Sequence, residues 1–407
     1  MQSRRTFIEQ MAVAAGAAAA PSRVLGANDR IRVGMIGPGF RGVQLLGHIV
    51  KASDVECVAF ADVYTGRLEA ARKIVPSAKT HLDYRYLLED KSIDAVFIST
   101  PQHLHCEHFT AALQAGKHVY QEKTMAFTVD HAKRMRAAYK QYAAKLTVQI
   151  GHQDCSSGQV ADAADFIAKG YVGKITEIHS HMYRNTPHNK PQWTRPIPAG
   201  MAPENVIWKS FLGEAPAHDF DANRFVNWRF YWDYSGGNFY ENMCHQLAFW
   251  YKVLNLQIPT RTVGNGGVFL WKDGREVPDT MIASMTHHEE LLFNWDSAFG
   301  NDELDTTEDV LGTDGTLFRD GAKVIYRPQR VNRKDLSEMK GKTDDAGGQG
   351  PIDELHIRNF FDCIRSGREP NCPFDLGFRV AIASRMAVES CRREQTIRWD
   401  PAREDLV

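Results

Sequence analysis

From Ile31 to about Ile150, short apolar runs alternate with segments whose apolar residues recur every three or four positions. "IRVGMI", "VECVAFAD", "DAVFIST", "HVYQEK" and "LTVQIGH" read as strands, and "RGVQLLGHIVKA", "DYRYLLED", "HCEHFTAALQAG" and "DHAKRMRAAYKQYAAK" as the helices between them. Strands that are apolar on both faces and separated by helices predict a doubly wound parallel sheet, an α/β domain. After "GHQDCSSGQVADAADFIAKGYVGK", a helix that ends in glycine turns, the pattern changes. "ITEIHSHMYRN", "RTVGNGGVFLWK", "DTMIASMTHHEELLFNWDS", "TLFRDG" and "KVIYRP" follow one another with little helix between, which predicts a large open, mostly antiparallel sheet in an α+β domain. Two helices interrupt this run, from about Phe239 to Val253 and from about Gly377 to Arg393. Residues 333–350, "RKDLSEMKGKTDDAGGQG", are charged, glycine-rich and aperiodic, and predict a mobile surface loop. The expected organisation is a leader and linker at 1–27, a nucleotide domain at 28–150 and a substrate domain at 151–407.

Composition narrows the partners. A chain of 407 residues exceeds one ordinary core, which agrees with two domains. Its 49 Lys and Arg balance 50 Asp and Glu, which argues against a nucleic-acid partner. The seven cysteines form no C-x-x-C pair and read as buried free thiols. No apolar run approaches the roughly 20 residues needed to span a bilayer, so the mature form is expected to have no membrane span.

The first residues carry an address. Ser3-Arg4-Arg5-Thr6-Phe7-Ile8, followed by the alanine-rich Met11 to Ala20, fits a twin-arginine signal. It predicts export of a folded protein by the twin-arginine machinery, to the periplasm or beyond.

Behind that signal, Gly37-Pro38-Gly39-Phe40-Arg41-Gly42 follows a strand and opens a helix, the setting of a dinucleotide fingerprint and hence of a Rossmann domain. Gly37 suits the tight turn, Gly39 the approach of a pyrophosphate, and Gly42 close helix packing, with the helix N-terminus favouring negative charge. Asp62 ends the second strand 20 residues beyond Gly42, where an acid accepts hydrogen bonds from ribose hydroxyls. Because an acid there repels a 2′-phosphate and Val63 is not basic, NAD is expected over NADP.

Thr100 to His105 carries T-P-x-H-x-H, Glu122-Lys123 follows the next strand, and "RFYWDYSGGNFYENMCHQL" places an acid and a histidine four apart after a glycine pair. With the fingerprint, these segments resemble the glucose-fructose oxidoreductase/inositol dehydrogenase (Gfo/Idh/MocA) family, over nearly the whole chain after the signal, including "IDELHIRNFFDCIRSGREP". The resemblance implies an NAD-dependent oxidoreductase acting on a secondary hydroxyl of a sugar or glycoside. It implies a catalytic set of Lys123, Glu241 and His245, and a dimer or tetramer. Phe40, Arg41, Arg67, Thr100, Pro101, His105 and Glu122 are the further expected cofactor contacts.

The residues support that chemistry in their own right. Alcohol oxidation needs a base for the hydroxyl proton, a donor that orients the oxygen and a hydride path to the nicotinamide. Lys123 lies at the carboxyl end of a strand, where open α/β sheets present ligand-contacting groups. Glu241 and His245 share a helical face at spacing four, from which the carboxylate is expected to orient the imidazole and raise its basicity. Two departures from the family pattern stand out. Thr124 replaces the proline of Glu-Lys-Pro, removing a backbone restraint, and Glu241 replaces an aspartate, which is expected to displace His245 or alter its proton path.

Gln153, Tyr183, Arg184, Asn185, Trp193, Trp228, Arg229 and Trp232 are the expected substrate contacts, as aromatics with amide and guanidinium donors suit a sugar. His179, His181, His287 and His288 include strand-spaced pairs but no evident third ligand, so no metal is expected. Export and a dinucleotide are reconciled by a tightly held NAD that is reduced and reoxidised within one catalytic cycle. The family resemblance also implies the alternative of an NAD-dependent glycoside hydrolase or epimerase working through a keto-sugar. A noncatalytic carbohydrate-binding protein on the same fold is the reading from another class.

Overall fold

The computed structural model describes residues 30–188, 190–321, 323–343 and 351–407. The twin-arginine stretch and the alanine-rich segment behind it lie outside the described residues, as does the 344–350 end of the charged loop. Residues 31–407 form one compact unit.

The first sheet is parallel and six-stranded, in the order β3-β2-β1-β4-β5-β6. Its strands are β1 (Ile31–Ile36), β2 (Val55–Ala61), β3 (Lys79–His81), β4 (Ala95–Ile98), β5 (His118–Gln121) and β6 (Val148–Ile150). This is the doubly wound dinucleotide order, in which the chain reverses direction across the sheet beside β1, with the crevice at the strands' carboxyl ends. Val33 and Met35 on one face and Ile36 on the other are buried, as a sheet covered on both sides requires. The three-residue edge strand β3, one face partly exposed, carries too little apolar pattern to announce itself in sequence.

The second sheet has ten strands, in the order β14-β13-β12-β11-β7-β10-β9-β8-β15-β16. At its centre β7 (Ile175–Asn185) pairs in parallel with β10 (Leu292–Ala298) and antiparallel with β11 (Gly300–Gly312). The remaining pairs are antiparallel: β8 (Arg261–Gly267), β9 (Thr280–Thr286), β12 (Gly315–Arg319), β13 (Val324–Pro328), β14 (Met339–Lys340), β15 (Ile397–Asp400) and β16 (Asp405–Leu406). The expected mixed-class architecture is the one observed. The sequence reading does not anticipate β11, because its acid-rich first half is exposed and lacks a buried face to mark it. Part of the charged loop is tied to the body. Met339 and Lys340 pair with β13, and Asp162 accepts the backbone N–H groups of Lys342 and Thr343.

One late element reaches back to the nucleotide sheet. The helix Pro351–Ser366 lays Ile357, Phe360 and Phe361 on β1, β4 and β5, with Phe360 edge-on to both Phe97 and Tyr120. Asp353 in its first turn binds both terminal nitrogens of Arg41, at 2.7 and 2.8 Å. The carboxyl-terminal part of the chain therefore buttresses the glycine turn from behind.

Candidate active site

The glycine turn, the end of β2 and the end of β4 surround a cavity of about 390 Å³ lined by Gly37, Asp62, Arg67, Thr100 and Pro101, among others. Gly37 has φ +84°, and a Cβ there would meet Thr100 N at 2.9 Å. A Cβ on Gly42 would stand 2.5 Å from the Gly37 carbonyl oxygen, so the helix start can close on the turn only without a side chain. At Gly39 the nearest atoms to a Cβ are those of the Arg67 guanidinium, at 3.6 Å, which leaves its backbone open to a ligand. The cradle fits a dinucleotide: two positions close the turn and the third stays open under a cation.

Asp62 is buried, accepts the Tyr64 backbone N–H at 2.9 Å and lies 3.7 Å from Arg67. Burial pushes its carboxyl pKa up and Arg67 opposes that rise. Arg67 also stacks on Phe225, 4.5 Å from the ring centroid. Phe225 belongs to a cluster with Tyr64, Val206, Phe211 and Tyr234. The 206–234 stretch thus packs directly behind the acid, joined there by the Ile207 N–H donating to the Val63 carbonyl at 2.8 Å.

The second half of the site is built on Lys123. Its Nζ donates to Glu241 Oε2 and to the Glu241 backbone oxygen, both at 2.9 Å. Arg229 Nε lies 3.1 Å from the same Oε2, and Gln102 Nε2 donates to Oε1 at 2.7 Å. Burial alone would raise the Glu241 pKa, but Arg229 and Lys123 outweigh it and hold the carboxylate down at about 2. A free backbone oxygen on Glu241 is possible because Phe239–Met243 is a π turn, followed by an α-helix from Cys244 to Leu254. The wider turn offers the Tyr240 and Glu241 carbonyls to side chains, and Thr124 Oγ1 takes the Tyr240 carbonyl at 2.7 Å.

The π turn overturns the expected Glu241–His245 relationship. The carboxylate is committed to Lys123, Arg229 and Gln102, and no hydrogen bond joins it to the imidazole. Burial, Lys123 and His152 push the His245 pKa well down, so the ring is neutral rather than made more basic. Its Nδ1 is buried without a partner. Nor is Thr124 unrestrained for want of a proline. Its hydroxyl donates to the Tyr240 carbonyl and its own carbonyl lies 2.8 Å from His105 Nδ1.

Several expected contacts turn out to be supports. The Arg41 guanidinium places three of its five N–H groups on Glu122 and Asp353, which fixes it against the loop and the late helix. Glu122 in turn accepts from Arg41 and from the Lys123 backbone N–H. His105 is fully buried between the Thr100 and Thr124 carbonyls, to one of which its neutral ring can donate, so it packs the two loops together. Phe40 remains exposed, under the Arg195 guanidinium at 3.7 Å.

Strand parity sorts the substrate candidates. On β7, Ile178, Ser180 and Met182 face the core, and Arg184 continues that face. Tyr183 points the other way, beside His181 and Asp296 on the open face of the sheet, and does not reach the site. Asn185 is exposed at the strand end, opposite Gly300. Trp193 packs edge-on against Phe299, and Trp232 lies under Arg392. Trp228 is buried beneath Arg229, 4.2 Å from the guanidinium to the ring centroid. Gln153 is half-buried with its Oε1 unpartnered. Among the histidines considered for metal, His181 bonds Asp296 and His287 bonds the Gln257 carbonyl.

Two members of the site escaped the sequence reading. Gln102 occupies the first unspecified position of T-P-x-H-x-H, directly after the cavity-lining Pro101, and its side chain reaches Glu241. His152 directly precedes Gln153. It is fully buried, has no partner on either nitrogen, and its ring centroid is 5.7 Å from that of His245. Its position just past the carboxyl end of β6 was the available signal.

Residues 31–150 match a family model described as an oxidoreductase family with an NAD-binding Rossmann fold. The chain is similar to inositol 2-dehydrogenase of Salmonella typhimurium, with 32% identity over 155 residues covering 38% of this chain and 46% of that protein. It spans less than half the length of the first curated relatives it matches. Levoglucosan dehydrogenase of Pseudarthrobacter phenanthrenivorans is 24% identical over 361 residues, 81% of this chain and 85% of that one. A solved structure of levoglucosan dehydrogenase in complex with NADH and levoglucosan superposes with a TM-score of 0.69 at 18% identity, over 91% of this chain and 99% of that one.

Proposed function

We propose that this chain is a member of the Gfo/Idh/MocA oxidoreductase family, whose NAD-binding fold its residues 31–150 match, and that the site oxidises a secondary hydroxyl of a sugar or glycoside with NAD as hydride acceptor. The observation that carries this reading is the Lys123–Glu241 pair beside a neutral imidazole, with Glu241 bonded to Gln102, the residue that follows the cavity-lining Pro101. Gly37, Gly39 and Gly42 would hold the pyrophosphate and Asp62 the adenosine ribose, and the bound nicotinamide supplies hydride uptake.

The protein's own groups divide the remaining work. Lys123 spends two of its three donors on Glu241 and keeps one for the substrate oxygen. His245, held neutral by burial, accepts the hydroxyl proton. Glu241 keeps Lys123 and Arg229 in place. It stays ionised at neutral pH and is not itself the base.

The cofactor preference is for NAD, because Asp62 disfavours a 2′-phosphate. The packing of residues 206–234 behind Asp62 supports a cofactor that is retained through the cycle. Retention suits export by the twin-arginine route and a net reaction that returns the hydride, either to a second sugar or to a keto-sugar intermediate. Homo-oligomerisation would use the open face of the ten-stranded sheet, where Val263 and Ile282 are exposed.

Denaturing the purified folded protein and identifying the released dinucleotide tests the reading. Near-stoichiometric NAD or NADH, reduced or oxidised on mixing with sugars, is the expected result. A protein that neither carries nor binds a dinucleotide would overturn it.

A further inference from the structure

The site gathers more positive charge than it neutralises. Lys123 and Arg229 bind the Glu241 carboxylate, Arg184 feels the same carboxylate, Arg195 is felt by way of Arg229, and the nearby His152 and His245 are held neutral by burial. Lys123 and Arg229 share Glu241, whereas Arg184 and Arg195 have no acidic partner among the described residues.

Arg184 is the telling member. It continues the inward face of β7, and its guanidinium meets only the Met182 sulfur, at 3.8 Å, a weak acceptor. The end of β7 is tied to the π turn, because the Met182 carbonyl accepts from Ser297 Oγ at 2.6 Å and Ser297 accepts from Asn238, the residue before that turn. The charge of Arg184 is accordingly felt at His245, and that of Glu241 at Arg184. A partly buried guanidinium without an anion is a cost that a fold does not carry for packing alone. Arg195 lies over Phe40 at the glycine turn, where a cofactor phosphate can answer its charge. Nothing in the fold or in the cofactor answers Arg184 in that way.

We propose that the substrate of this site is an acidic sugar, a uronate or sugar acid, whose carboxylate is held by Arg184 with Arg229 beside it while its reacting hydroxyl faces Lys123 and His245. The proposal rests on the sugar-oxidation reading above. A planar guanidinium offers a carboxylate two parallel donors, which a neutral hydroxyl cannot match in charge or geometry. One unpaired guanidinium calls for one negative charge, which favours a carboxylate over a phosphate dianion.

Calorimetric titration of the NAD-loaded protein with matched pairs tests this at fixed ionic strength: methyl glucoside against methyl glucuronide, galactose against galacturonate, and glucose 6-phosphate as the other oxyanion. At least one acid is expected to bind about tenfold or more tightly than its neutral partner. Arg184→Met is expected to erase that gain, leave the NAD content unchanged, and keep or raise the melting temperature by removing an unpaired buried charge. Arg184→Lys, which keeps the charge and loses the fork, is expected to recover only part of it. Neutral sugars binding as well as acids, a preference that survives Arg184→Met, a preference for the phosphate, or no binding of any sugar would each overturn the proposal. Reduction of the bound nicotinamide separates it from the parent reading. Oxidation of neutral sugars alone sinks the acid and keeps the dehydrogenase, whereas Arg184-dependent binding of acids without reduction does the reverse.

Discussion

Lys123 and Glu241 meet twice, the ammonium donating to the carboxylate and to the backbone oxygen of the same residue, each at 2.9 Å. The double contact exists because the helix opens with a π turn, and it fixes Lys123 in position without using its third donor. Glu241→Gln would leave Lys123 and Arg229 sharing a neutral amide. Removing one partner of a buried pair costs about 3–5 kcal/mol, which a thermal unfolding curve would register. Reduction of the bound nicotinamide is expected to slow by about 100-fold as the lysine loses its fixed geometry. A variant of unchanged stability and rate would show that the pair does not organise the site.

Thr124 makes a narrower prediction. Its hydroxyl bond to the Tyr240 carbonyl stands where the family pattern has proline, and Cys244 Sγ donates to the same oxygen at 2.8 Å. Thr124→Val keeps the shape and removes one donor, so stability is expected to fall by about 1 kcal/mol, because the carbonyl retains its second partner. The rate of hydride transfer is expected to fall by about tenfold with nucleotide content unchanged. Parallel stopped-flow and extraction measurements check both, and a fall in nucleotide content would place the role of Thr124 in cofactor binding instead.

What the sequence disclosed and what it withheld follow from the range of the interactions. Gly37, Gly39, Gly42 and Asp62 were legible because their roles are set by backbone conformation and by spacing within one β-turn-helix unit. Lys123 and Glu241 were legible as members of a site, but their pairing was not. A π turn is a local departure from the helical period, and no residue type in "NFYENM" announces it. Arg41, Glu122 and His105 looked like ligand contacts because they stand inside the motifs. Their partners Asp353, Thr100 and Thr124 show that motif residues also brace the loops that bear them. Asp353 lies 312 positions from Arg41, a separation that neither periodicity nor spacing can bridge.

Asp62 and Arg67 give the prediction on cofactor choice. The acid and the arginine 3.7 Å away line the same cavity. Asp62→Ser removes the charge that repels a 2′-phosphate and frees Arg67 to meet one. The ratio of NADP to NAD affinity is expected to rise by about tenfold or more, read by nucleotide titration of the stripped protein. An unchanged ratio would mean that another group sets the preference.

The buried histidines make the protein acid-sensitive in a defined window. Burial lowers the pKa of His103, His108 and His152 to about 3, and of His105, His287 and His356 to about 4. In the unfolded chain each titrates near the ordinary value of about 6.5. As the pH falls below that value the unfolded state takes up protons that the native state refuses until about pH 4, so stability is full above the window and drains through it. Each group contributes up to about 1.4 kcal/mol per pH unit, so six drain at most about 8 kcal/mol for each pH unit, enough to exhaust a whole domain's roughly 5–15 kcal/mol within one or two units. Glu241, whose carboxylate is held down, adds a loss of the same sign that begins only near the ordinary carboxylate range and runs down to about pH 2. Asp62 and Glu308, whose carboxyls are raised by burial, act in the opposite sense and soften the lower end. The melting temperature is therefore expected to hold near neutrality and to fall steeply between about pH 6 and pH 5, before most carboxylates titrate. A melting temperature that stays level down to about pH 4.5 would show that these six imidazoles take up their protons in the native state as readily as in the unfolded chain.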